Sequence, residues 1–76
     1  MERELAVNLI REIFAMCRHV DGKAIKLMPL DENNCLSKGF QVQIEGVSHE
    51  LEQCITPIAN HNNLLWHRED TLLVIY

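Results

Sequence analysis

The order of hydrophobic patterns along this 76-residue chain constrains its fold more than any other feature. Each half carries one segment with apolar residues at helical spacing, followed by two short segments with strand patterns. In chain order the six segments are 2–20, Lys23–Met28, Phe40–Glu45, 48–61, Leu64–Arg68 and Leu72–Tyr76. The order αββαββ predicts one α+β domain over residues 1–76, with a four-stranded, mainly antiparallel sheet and two helices packed on one face.

The first helical segment is strongly amphipathic, and its apolar residues cover about half of the helix surface, whereas a surface helix needs a stripe of only about 100°. The extra width has two interpretations. The helix contacts both the sheet and the second helix, or one flank meets another chain. The second interpretation predicts a homodimer. Asp21 and Gly22 are expected to end this helix and turn the chain.

The strand patterns indicate where each strand lies in the sheet. Phe40, Val42 and Ile44 alternate with polar residues, as in a strand with one buried face. Pro29 lacks a backbone N–H, so it should end the first strand or lie at a sheet edge. Leu72–Tyr76 is apolar at every position, which indicates a central strand covered on both faces.

The second helical segment carries a start signal and an internal break signal. Ser48 is a candidate N-cap, because its hydroxyl can accept a hydrogen bond from a free N–H of the first turn. Pro57 removes one helical hydrogen bond and clashes with the preceding turn. The sequence leaves two outcomes open: the helix bends at Pro57, or Thr56 caps a second short helix that begins there.

The inward positions of these segments predict a small, mainly aliphatic core. A chain of this length buries only about 60% of its unfolded surface, so each core contact matters for stability. The predicted core residues are Leu9, Ile13, Phe14, Cys17, Phe40, Val42, Ile44, Leu51, Ile55, Ile58, Leu73 and Ile75.

Charge and composition exclude several classes of partner. The formal net charge is −4, and the seven Lys and Arg residues are scattered, which argues against nucleic acid and anionic membranes as partners. No apolar run approaches the ~20 residues of a membrane span. The first residues, Met1 to Glu4, do not form a signal peptide. Because three cysteines cannot form a complete disulfide framework, we expect a reducing, cytoplasmic location.

The histidines and cysteines do not form a local metal-binding motif. None of them is spaced as C-x2-C or H-x3-H, the pairs from which short zinc sites are built. Cys54 and His61 share a helix face but are separated by about 10.5 Å along the axis, too far for one ion. We expect no metal and no cofactor, although a site assembled from distant segments stays open. The possible ligands are Cys17, Cys35, Cys54, His19, His49, His61 and His67.

The cysteines also lack the surroundings of a nucleophile. Cys17 and Cys54 lie on inward helix faces, so we expect small core thiols that react only on unfolding. Cys35 lies in a polar loop beside Asp31 and Glu32, which oppose its ionisation, and it should react with thiol reagents in the native state. There is no Gly-rich phosphate loop. We therefore expect no catalytic residues and a non-enzymatic protein.

The terminal hairpin decides which side chains lie on the sheet face away from the helices. A turn at Glu69–Asp70 would pair Trp66 with Leu73. The same register would pair Leu64 with Ile75. We place the Trp66 face against the helices because it carries the largest side chain. The residues expected to bind a partner on the opposite face are Leu65, His67, Leu72, Val74, Tyr76, Gln41 and Gln43.

These features favour a small non-enzymatic protein-interaction module, such as an adaptor, subunit or inhibitor, that binds another protein chain, a partner or a second copy, through an open sheet face. With few basic residues and one aromatic ring, this face is a poor platform for stacking nucleic-acid bases. The alternative is a small metal-binding or thiol/histidine-dependent sensor or enzyme that uses the histidines and cysteines.

Overall fold

The computed structural model of the chain describes residues 1–18, 20, 24–29 and 39–76. Within these residues the predicted αββαββ order and the α+β class are confirmed. The elements are α1 (Arg3–Met16), β1 (Ile25–Pro29), β2 (Phe40–Ile44), α2 (His49–His61), β3 (Trp66–Glu69) and β4 (Leu72–Ile75).

The four strands form one sheet in the order β1-β2-β4-β3, and all three neighbouring pairs are antiparallel. β4 lies between β2 and β3, the central position that its continuous apolar run predicts. β1 and β3 are the edge strands. Pro29 ends edge strand β1, where its missing N–H breaks no pairing inside the sheet.

Helix α1 is shorter than the apolar pattern predicts. It ends at Met16, and Cys17 already has an extended backbone, although its N–H still bonds the Ile13 carbonyl at 2.8 Å. The predicted helix end at Asp21 and Gly22 is therefore wrong, and those two residues lie outside the described residues. The error arose because Cys17 and Val20 keep the helical spacing of apolar residues although the helix has already ended.

Helix α2 runs without interruption through Pro57. The Ser48 hydroxyl accepts a hydrogen bond from the Leu51 N–H at 3.1 Å, so the predicted N-cap is confirmed. A separate helix capped by Thr56 is not formed. Pro57 lies on the exposed side of α2, where its ring does not interrupt the packing of the inward residues.

The β3–β4 hairpin turns one residue later than predicted. Trp66 pairs with Ile75 and Glu69 with Leu72, which leaves Asp70 and Thr71 as the turn. Asp70 has a φ of 55°, a left-handed conformation that Asp adopts more readily than most residues. The predicted pairings were therefore wrong by two residues. Because side chains alternate with period two, that error leaves each residue on its predicted face.

The core lies between the helices and one face of the sheet. Phe14 was wrongly assigned to it: its side chain is 46% exposed, because it follows the buried Ile13 and points about 100° around the helix from it. Phe40 and Leu51 are half-buried at the margin of the core. Buried residues from helices, strands and the turn after β2 make up the core: Ala6, Leu9, Ile13, Cys17, Val42, Ile44, Val47, Ile55, Ile58, Ala59, Leu73 and Ile75.

Truncating the core side of β2 tests this packing. Ile44→Ala should lower the free energy of unfolding by about 2–5 kcal/mol, because Ile44 is fully buried and the shorter side chain leaves a cavity. Gln43→Ala, on the opposite face of the same strand, is the matched control and should change it by less than about 0.5 kcal/mol. Equal losses for the two variants in denaturant melts would contradict the orientation of β2.

Candidate functional site

The sheet face away from the helices, hereafter the open face, is built from alternate residues of all four strands. Across its middle, the paired positions Lys26, Gln43, Val74 and His67 lie side by side. All seven residues predicted to bind a partner lie on this face. Their face was predicted correctly although the hairpin register was not, because a shift of two residues leaves each side chain on the same side of the sheet.

One end of the open face is apolar. Leu65 lies just before β3 and exchanges two backbone hydrogen bonds of 2.9 Å with Tyr76. Ile75 pairs with Val42, so Gln41, the residue before Val42, lies beside Tyr76. Met28 pairs with Gln41 and therefore lies at the same end. Leu65 is 65% exposed and Tyr76 is 40% exposed. We call Met28, Leu65 and Tyr76 the apolar end.

The other end of the open face carries two carboxylates. Glu69 pairs with Leu72. Glu45 follows Ile44, which pairs with Leu73, so Glu45 lies on the other side of Leu72. Glu45 lies 3.6 Å from the Lys26 ammonium, and both side chains are more than half exposed. Such exposed ion pairs contribute little to stability, so the carboxylates keep most of their capacity to bind another cation. We call Glu45 and Glu69 the acidic end.

The middle of the open face is more tightly packed than its ends. The rings of His67 and Tyr76 meet edge to face, with centroids 5.7 Å apart. Val74, beside His67, is only 5% exposed although it belongs to no part of the core between helices and sheet. A partner would therefore contact the side chains around Val74 more than Val74 itself.

Arg68 ties the start of α2 to the hairpin that carries half of the open face. Its guanidinium donates to the Val47 carbonyl and, at 2.8 Å, to the Asp70 carbonyl. It also lies 3.4 Å from the Glu52 carboxylate. Because Arg68 is only one quarter exposed, these contacts are less screened than those of the surface pairs and hold the hairpin in place.

A second feature lies in the helical layer. Cys17 and Cys54 form a disulfide, with their Cα atoms 6.0 Å apart, that links the end of α1 to the middle of α2. The prediction of two free thiols is therefore wrong. The odd cysteine count excludes a complete framework, but it leaves one bridge available to two inward-facing cysteines. The reactive thiol predicted at Cys35 lies outside the described residues.

Two surface grooves flank this disulfide, and Cys54 borders both of them. The first groove has a volume of about 300 Å³, and Cys17, Arg18 and Glu50 also line it. The second has a volume of about 420 Å³ and is lined beside Cys54 by residues that include Glu12 and His61. One groove therefore borders both cysteines of the bridge, and the other borders Cys54 alone.

The residues that the structure describes also bear on metal binding and membrane crossing. They contain no group of three or more His, Cys, Asp or Glu side chains that could hold a metal ion. Their helices are too short or too polar to cross a membrane. Comparison with protein-family models, curated proteins and solved structures finds no match to the chain.

Reducing the Cys17–Cys54 bond should lower the free energy of unfolding by the amount that the disulfide contributes. Its two cysteines are 37 positions apart in the chain. A loop of that length should stabilise the protein by about 2–4 kcal/mol, mainly by restricting the unfolded chain. Denaturant melts with and without dithiothreitol should differ by that amount.

The double variant Cys17→Ser with Cys54→Ser is the control, and its melt should not respond to dithiothreitol. Cys35→Ser should keep the full response, since Cys35 takes no part in this bridge. A wild-type melt that does not change on reduction would contradict a disulfide between α1 and α2.

Proposed function

We propose that this chain is a non-enzymatic protein-interaction module that binds a different protein through its open face. The observation that carries the proposal is the exposed apolar end, where Leu65 and Tyr76 are 65% and 40% exposed on the face away from the two described helices. Uncovered apolar surface of this kind marks contact sites, because covering it removes apolar area from water.

The two ends of the open face define the chemistry of the partner. Leu65 precedes Glu69 by four positions, a distance of about 13 Å at the rise of an extended strand. A complementary surface therefore carries an apolar patch and, about 13 Å away, one or two basic side chains. The apolar contact supplies affinity, and the charged contact fixes the orientation.

A second copy of the chain is a poor occupant of this face. A two-fold axis along the strands would bring the carboxylates of two acidic ends together, where like charges repel. A two-fold axis across the strands would place each apolar end against an acidic end and desolvate the carboxylates against apolar side chains. A different protein avoids both costs.

Nucleic acid fits the open face no better. Among the described residues, Lys26 is the only lysine or arginine on the face, and it is already paired with Glu45. The whole chain carries a net charge of −4. Phosphate binding depends on several basic contacts, so this surface repels a polynucleotide more than it attracts one.

The disulfide supports a second candidate function, the thiol-dependent sensor. A bridge that closes in an oxidising environment and opens in a reducing one would change the helical layer. The same bridge weighs against the cytoplasmic location that the sequence predicts, because disulfides are uncommon there.

Self-association through α1 stays a separate prediction. Phe14 and Met16 are 46% and 66% exposed on this helix, so each presents an apolar side chain to solvent away from the open face. Light scattering at micromolar concentration should give a dimer if these side chains bury one another. A mass that stays at 8.8 kDa would contradict it.

Photo-crosslinking tests the proposed contact. The chain with p-benzoylphenylalanine in place of Leu65 should crosslink one discrete protein in an extract of its own cells. Excess wild-type chain should abolish the adduct. The double variant Leu65→Glu with Glu45→Lys should compete at least ten times less well, because it alters both ends of the open face.

Met16→Glu is the matched competitor, since it changes an exposed apolar side chain on α1 and should compete like the wild type. Equal competition by all three chains would contradict the proposal. An adduct with twice the mass of the chain would identify a second copy and contradict a different partner. Val74→Arg is avoided, because Val74 is too buried to separate lost contact from lost folding.

A further inference from the structure

We propose that Cys54 is a thiol-exchange site, at which a small thiol attacks Cys54 Sγ, displaces Cys17 and so opens the bridge between α1 and α2. The ligand class is a low-molecular-weight thiol. This inference is independent of the open face, which lies on the other side of the sheet from the helices.

The two sulfurs of the bridge differ in access. Cys17 is 4% exposed and belongs to the buried core, whereas Cys54 is half-buried and borders both grooves. A thiolate must approach a disulfide sulfur from the side opposite the bond that breaks. The 420 Å³ groove reaches Cys54 without reaching Cys17, so a thiolate that enters it meets only the Cys54 sulfur of the bridge. Cys17 borders only the 300 Å³ groove, and its 4% exposure leaves little of its surface open to attack there.

The exchange needs two equivalents of thiol. The first, as a thiolate, bonds to Cys54 Sγ while the Cys17–Cys54 bond breaks, and the electron pair leaves with Cys17, which takes a proton from water. The second attacks the outer sulfur of the mixed disulfide, which releases a small disulfide and leaves Cys54 as a thiol. The two small thiols are oxidised, and the protein disulfide is reduced by two electrons.

The surroundings can hold both products. Cys54 Sγ lies 3.6 Å from the Met16 carbonyl oxygen, so a released thiol has a hydrogen-bond acceptor within reach. Cys17 can stay in the core as a small apolar thiol. The mixed disulfide has the 420 Å³ groove to occupy. The fold should therefore survive opening of the bridge.

Charge in the grooves predicts which thiols react fastest. Glu12 borders the 420 Å³ groove, and both Glu50 and Arg18 line the other. The carboxylate of Glu12 should attract a cationic thiol and repel an anionic one. Cysteamine and 3-mercaptopropionate are probes of opposite charge and similar size.

Adduct mapping tests the site. The Cys35→Ser chain is treated with cysteamine in native buffer, quenched with acid, alkylated with N-ethylmaleimide and digested for mass spectrometry. Cysteamine should be found on Cys54 and the alkyl group on Cys17, in at least tenfold excess over the reverse, while circular dichroism stays native. Equal labelling, an excess of adduct on Cys17, or no adduct without denaturant would each overturn the assignment.

The variant Glu12→Gln tests the groove of entry. It should lower the ratio of the cysteamine rate to the mercaptopropionate rate about two- to fivefold. The intrinsic reactivities of the two thiols cancel in this comparison, because each is measured on both proteins. Glu50→Gln is the matched control and should leave the ratio closer to the wild-type value. A ratio that changes only in Glu50→Gln would overturn entry through the 420 Å³ groove.

Discussion

The fold depends on the burial of aliphatic side chains between two helices and one face of the sheet. Four strands at about 4.8 Å spacing form a sheet about 19 Å wide, and two helices packed 8–10 Å apart cover about the same width. Two helices can therefore cover one face of four strands and no more. The open face follows directly from there being two helices among the residues that the structure describes.

That constraint explains the composition of the two faces. Val42, Ile44, Leu73 and Ile75 point into the covered side, where all four are fully buried. The residues between them along β2 and β4 face the other way and are partly polar. The apolar end differs, because contact with water does not favour exposed apolar side chains such as Leu65 and Tyr76. Its position on the uncovered face is the reason to assign it a binding role.

Periodicity predicted the elements and the faces because both depend on local spacing. Alternation in Phe40–Ile44 identified β2, and the apolar run in β4 placed it centrally. Local spacing could not predict where α1 ends, since residues beyond Met16 keep the apolar phase. It also missed Val47, a buried residue in the turn after β2 that belongs to no periodic segment. The hairpin turn depended on the tolerance of Asp70 for a left-handed backbone, which its residue type indicates only weakly.

The disulfide was missed for a different reason. Its cysteines are 37 positions apart, so no local motif joins them. The available signal was their shared inward orientation on helices that pack together. The bridge crosses the helical layer behind the sheet. Stability and thiol chemistry thus belong to one side of the sheet, and the proposed partner contact belongs to the other.

Methyl NMR with the crosslinked partner, once identified, tests the central claim most directly. The methyl signals of Met28 and Leu65, at the apolar end, should shift or broaden as the partner is added. Those of Met16 on α1 and of the buried Leu9 should not change. Perturbations confined to Met16 and the helical layer, with Met28 and Leu65 unchanged, would contradict binding through the open face.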